Sequence, residues 1–154
     1  MAEERISVDR TIPARPEQIF SLLRDPQGHV AIDSSGMLIS AEGDPVSAVG
    51  DTFVVHMDRE ALNDYPLGQY DVTIVITAFV PDRRIEWTIL GKIRPPLEHV
   101  YGYLLEPVDG GTRVTSYYDW SAVDDERKVV FPIISEPALR ATLGILARTV
   151  ARSS

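Results

Sequence analysis

No cysteine occurs among the 154 residues. Disulfides, thiolate metal sites and a cysteine nucleophile are thereby excluded, and the absence suits a reducing compartment. Cations are also scarce, with 15 Lys and Arg against 23 Asp and Glu and a formal net charge of −8. Their longest runs are Arg83-Arg84 and Arg127-Lys128. A duplex or an anionic bilayer would repel such a chain, so nucleic-acid binding is disfavoured. No apolar run approaches the roughly 18 residues of a membrane span. The polar start, Met1 to Arg5, does not read as a signal peptide. G-x-S-x-G, H-E-x-x-H, Walker and dinucleotide-binding patterns are missing too, as are internal repeats. These absences lead to the expectation of a cytoplasmic protein without stable membrane insertion, folded as a single domain over 1–154.

What is present is ordinary globular composition: 44% hydrophobic and 25% charged. A chain of this length buries roughly 70% of its unfolded surface, enough for a core without staples. Arg5 to Ile12 alternates as a half-buried strand, stopped by Pro13. Pro16, Glu17 and the apolar set Ile19, Phe20 and Leu23 predict a helix, with Arg15 as a poor N-cap. Asp25-Pro26 ends it, and a second short helical turn is expected over Gly28 to Ile32.

From Gly36 the period becomes two. Strands are predicted over Met37 to Glu42, Asp51 to Asp58, Tyr70 to Val80, Arg84 to Leu90, Glu98 to Glu106 and Thr112 to Ser121. Asp58 to Gly68 and Gly91 to Leu97 read as loops. Leu139, Leu143, Leu146 and Val150 then share one face of a long helix, with Ser135 as N-cap. Strands grouped together with helices segregated around them indicate an α+β fold.

Hairpin arithmetic assigns faces. A turn at Asp109-Gly110 pairs Glu106 with Arg113 on one side. The other side carries Leu105 with Val114, Tyr103 with Ser116, Tyr101 with Tyr118, and His99 with Trp120. Pairing Val80 with Arg83 aligns Ala78 with Ile85, Ile76 with Trp87, and Ile74 with Ile89. One half of the inner face is therefore aliphatic with Trp87, and the other ends in hydroxyls, an imidazole and an indole. A buried hydroxyl without a partner costs about 1–3 kcal/mol. Such a face is easier to explain if water or a ligand's oxygens meet it, or if the tyrosines reach solvent at a rim. Candidate lining residues are Ile74, Ile76, Trp87 and Ile89 on the first half. The second half contributes His99, Tyr101, Tyr103, Ser116, Tyr118 and Trp120, and the helix adds Leu139 and Leu143.

Three stretches carry a family resemblance: Ala14 to Phe20 through Asp25-Pro26, Val80 to Trp87, and Leu105-Glu106-Pro107 through Gly110 to Thr115. With Tyr118 to Ser121 and the last helix, the chain resembles the START-like, or SRPBCC, superfamily, which includes the polyketide cyclase/dehydrase proteins. Arg15 departs from the pattern, where a small capping residue is more usual. The resemblance implies a helix-grip fold, a seven-stranded curved antiparallel sheet around a long C-terminal helix, with two short helices between the first two strands. It also implies a cavity for an apolar or aromatic small molecule such as a lipid or polyketide; the chain itself is expected as a monomer or homodimer. No cofactor is expected, and a metal site, which would need several converging ligands, has no sign in the spacing.

Of three histidines, His29 reads as a surface or packing residue and His56 as outward-facing. His99 alone is in phase with the tyrosines, as a base with Tyr101, Tyr103 or Tyr118 as donors, or as a structural histidine beside Trp120. Arg94 could neutralise a carboxylate at the mouth. Two main functions remain open, a binding protein for an apolar metabolite and a polyketide cyclase/dehydrase-like enzyme using the same cavity, with an interaction subunit whose cavity has collapsed as a third.

Overall fold

The computed structural model describes residues 4–60, 68–91 and 96–153. A first strand, β1 (Arg5–Ile12), leads into two short helices, α1 (Pro16–Leu23) and α2 (Pro26–Ile32). Six strands follow: β2 (Leu38–Glu42), β3 (Thr52–Asp58), β4 (Gln69–Val80), β5 (Arg84–Leu90), β6 (Val100–Val108) and β7 (Gly111–Asp119). The last described element is α3 (Glu136–Ser153). All strands pair antiparallel in the order β1-β7-β6-β5-β4-β3-β2. This is the α+β helix-grip architecture.

Local chemistry explains the helix boundaries. Arg15 supplies no side-chain cap, but Gln18 Oε1 accepts a hydrogen bond from the Arg15 N–H at 3.1 Å. That is the reciprocal half of a capping box, and it compensates for the missing acceptor. Asp25 does more than end α1. Its carboxylate accepts from the Gln27 N–H at 3.0 Å, so α2 starts at Pro26, two residues before the expected Gly28. Ser135 caps α3 as expected, accepting from the Ala138 N–H at 3.2 Å. The stripe Leu139, Leu143, Leu146 and Val150 is buried, and α3 packs chiefly on β1, with α2 and β7 beside it.

The β6–β7 hairpin has the expected register from Val108 opposite Gly111 down to Tyr101 opposite Tyr118. Glu106 and Arg113 meet across it at 3.2 Å. The proposed His99–Trp120 pair does not form, because β6 starts at Val100 and β7 ends at Asp119. The Trp120 N–H donates instead to the Glu4 carbonyl, and the His99 carbonyl accepts from Thr88 Oγ1.

The β4–β5 hairpin corrects a second expectation. Val80 pairs with Arg84, and Phe79 rather than Ala78 lies opposite Ile85. A four-residue turn with Pro81 second and Asp82 third, at φ 62°, carries the Arg83 N–H to Val80 O bond of a type II geometry. A bulge between Ile76 and Ala78 absorbs the extra residue and restores Ile76 opposite Trp87. Phe79 thereby packs on the core, its ring 5.3 Å from that of Phe20.

Tyr117, on the convex face, is only 1% exposed. Its ring lies over Gly102, its hydroxyl donates to Glu86 at 2.9 Å, and the Arg5 guanidinium sits 4.1 Å above it.

Candidate functional site

A cavity of about 860 Å³ opens between the concave face of the sheet and the two helices α2 and α3. Strand alternation supplies its apolar wall: Val55 and Met57 from β3, Val72 and Ile74 from β4, Trp87 and Ile89 from β5. Leu139 reaches it from α3. The open end is rimmed by 33–35 and 133–135, half or fully exposed. Ser34 ties this rim to α3 by donating to the Ala138 carbonyl, and its hydroxyl accepts from Thr142 at 2.9 Å.

Eight of the twelve residues singled out from the sequence line this space: Ile74, Trp87, Ile89, His99, Tyr101, Tyr103, Ser116 and Leu139. Four do not: Ile76, Tyr118, Trp120 and Leu143, all buried in the core instead. The reason is layering. The His99 ring stands edge-on against Tyr118 at 5.5 Å, and Tyr118 stacks on Trp120 at 5.7 Å, so the histidine screens both. Leu143 lies one helical turn below the cavity and is 1% exposed. Arg94 lies outside the described residues.

Sequence reasoning passed over several wall residues, among them Val55, Met57, Val72 and one histidine. His29 packs as one of its two readings expected, but its ring also borders the cavity, edge-on to Trp87 at 4.8 Å and to Phe53 at 5.1 Å. Its Nε2–H donates to the Leu23 carbonyl at 2.8 Å. Helical spacing held the signal, since Pro26, His29 and Ile32 recur every three residues on the buried side of α2. His56 faces outward as expected, bridging Asp71 at 2.6 Å and Glu42 at 2.8 Å.

Burial dominates the electrostatics. It lowers the His29 pKa to about 4, against smaller upward effects of its Leu23 bond and of Asp25. It lowers the His99 pKa to about 4 as well. Both rings are therefore neutral at neutral pH. The hydroxyls of Tyr101, Tyr103 and Tyr118 are pushed upward by burial and stay protonated. The one acid on the rim, Asp33, is occupied with the N–H groups of Ser35 and Leu38. Apart from Arg59 and the occupied Asp33, the described walls thus offer neutral hydrogen-bonding groups set in an apolar shell, a usual form for small-molecule pockets.

The profile of the family described as polyketide cyclase / dehydrase and lipid transport matches residues 3–151. No curated protein matches the chain at a meaningful level. Among solved structures, a protein from Rhodobacter sphaeroides superposes with a TM-score of 0.71 at 19% identity, covering 99% of this chain and 95% of that one. A protein from Nitrosomonas europaea gives 0.70 at 16%, covering 99% and 97%. An AHSA1-like protein from Aeromonas hydrophila gives 0.65 at 16%, covering 97% and 93%. Identities this low speak to fold alone.

Proposed function

The chain belongs to the polyketide cyclase / dehydrase and lipid transport family, and from that premise we propose that it binds an apolar or aromatic small molecule, a lipid or a polyketide, in the cavity between sheet and helices. The observation that carries this reading is the cavity itself. About 860 Å³ of space walled by Val, Ile, Met, Leu and Trp side chains would cost a folded protein packing energy if nothing filled it. The unit of function is the single domain over 1–154, acting in the cytoplasm. Among the described residues, no helix is long and apolar enough to cross a membrane.

Tryptophan fluorescence tests it. Trp87 lines the cavity and Trp120 does not, so apolar aromatic ligands are expected to quench wild type and Trp120→Phe but to have little effect on Trp87→Phe. Absence of quenching across a chemically diverse apolar library would refute the reading. Native mass spectrometry of the purified protein would then identify any retained small molecule by mass.

Cyclase or dehydrase chemistry in the same cavity is the second reading, favoured by one contact: His99 Nδ1 lies 2.6 Å from the Tyr118 hydroxyl. It predicts that His99→Ala abolishes turnover of an aromatic polyketide while preserving binding. Unchanged turnover would remove it.

A further inference from the structure

Proton bookkeeping at the His99–Tyr118 contact gives the polar end of the cavity a direction. Tyr118 is fully buried, and its hydroxyl has one partner among the described residues, His99 Nδ1 at 2.6 Å. Two arrangements fit that distance. If Nδ1–H donated, the tyrosine O–H would have no acceptor and would be a buried unsatisfied donor, which is costly. If the tyrosine donates, both groups are satisfied and Nδ1 is the lone-pair nitrogen. The ring is neutral, because burial holds its pKa near 4. A neutral imidazole with a lone pair on Nδ1 carries its proton on Nε2.

The Nε2 atom has no hydrogen-bond partner among the described residues. Yet none of the fully buried side-chain nitrogens and oxygens among them lacks a partner. His99 as a residue is 4% exposed and lies on the cavity wall. An unpartnered Nε2 is therefore not fully enclosed by protein, and the cavity is the space that His99 borders.

We infer that the cavity selects apolar molecules bearing a carbonyl-type acceptor oxygen, held by the Nε2–H of His99, with Tyr118 fixing the tautomer from behind. This rests on the binding reading above and refines it. His99 is then a donor to substrate oxygen rather than the base considered from sequence. Tyr118 acts through His99 and is a positioning residue. The shape requirement is separate: rings or chains of the ligand lie against Trp87, Ile74 and Ile89.

The test compares two probes of nearly equal shape, 9-fluorenone and fluorene, which differ in one carbonyl. Calorimetric titration of wild type is expected to give fluorenone on the order of tenfold tighter binding, the size of one neutral hydrogen bond plus relief of an unpaired donor. His99→Phe should bring the two affinities together. Long-range proton–nitrogen NMR on wild type reads the tautomer without any ligand or variant, and the expected signature is a single Nε2–H form. Tyr118→Phe should lose that single form and shrink the fluorenone preference.

Equal binding of both probes, or an Nδ1–H tautomer in wild type, would overturn this inference while leaving apolar binding intact. Failure of both probes to bind would overturn the binding reading, and this inference with it.

Discussion

Lowering the pH from about 6 to about 5 should destabilise this protein through two histidines that the fold keeps neutral. His29 and His99 have folded-state pKa values of about 4 against an ordinary value of 6.5. Because the folded value is the depressed one, the unfolded chain takes up protons first, and stability falls as pH drops from 6.5 toward 4. A full proton of difference is worth about 1.4 kcal/mol per pH unit. Averaged over the chosen interval, each histidine removes roughly 1 kcal/mol, and the pair about 2. Against a typical total of about 5–15 kcal/mol this is easily measured.

The interval is clean because other shifted groups act elsewhere. His56 moves upward, held by its bonds to Asp71 and then Glu42. Its contribution is fully present below the unfolded value and disappears as pH rises through the folded one. Asp51 and Asp124 are shifted downward, so their contributions fade only as pH falls below 3.8. Urea unfolding followed by circular dichroism at the two pH values supplies the assay. His29→Gln retains a donor for the Leu23 carbonyl, and both it and His99→Gln should remove about half of the pH-dependent loss. A loss that survives undiminished in both variants would refute the reasoning.

Further expectations follow from single contacts. Leu143→Ala should cost about 2–5 kcal/mol, whereas Leu139→Ala should cost less, because Leu139 already faces open space; urea midpoints compare them. A Cβ at Gly102 would clash with the Tyr117 ring. Gly102→Ala should therefore lower stability by about 1–3 kcal/mol in thermal melts, and a neutral effect would show that Tyr117 moves aside freely. His56 ties β3 to both β2 and β4. As pH rises above the ordinary histidine range, the protection factors of β2 amides, which correct for base-catalysed intrinsic exchange, should fall in wild type and stay level in His56→Gln.

Periodicity determined much of this protein by itself. Alternation in β6 and β7, with Asp109-Gly110 between them, was enough to place Tyr101, Tyr103 and Ser116 on one face, because side chains in a strand alternate strictly. The α3 stripe was equally legible, since 3.6-residue spacing leaves one apolar face to bury. The family resemblance added closure of the sheet around the helix. What alternation cannot convey is depth. Tyr118 shares its strand face with Ser116, yet only tertiary packing puts the His99 ring between it and the cavity.

Bulges are hidden for a related reason. The residue added between Ile76 and Ala78 shifts parity midway along β4, and only the partner strand shows where. His29 entered the wall because α2 folds back over β3 and β5, a contact between segments far apart in sequence. The direction of the His99–Tyr118 hydrogen bond belongs to the same class. Sequence placed both residues on one face, but only burial, a single available acceptor and an open cavity on the other side of the ring decide which nitrogen carries the proton.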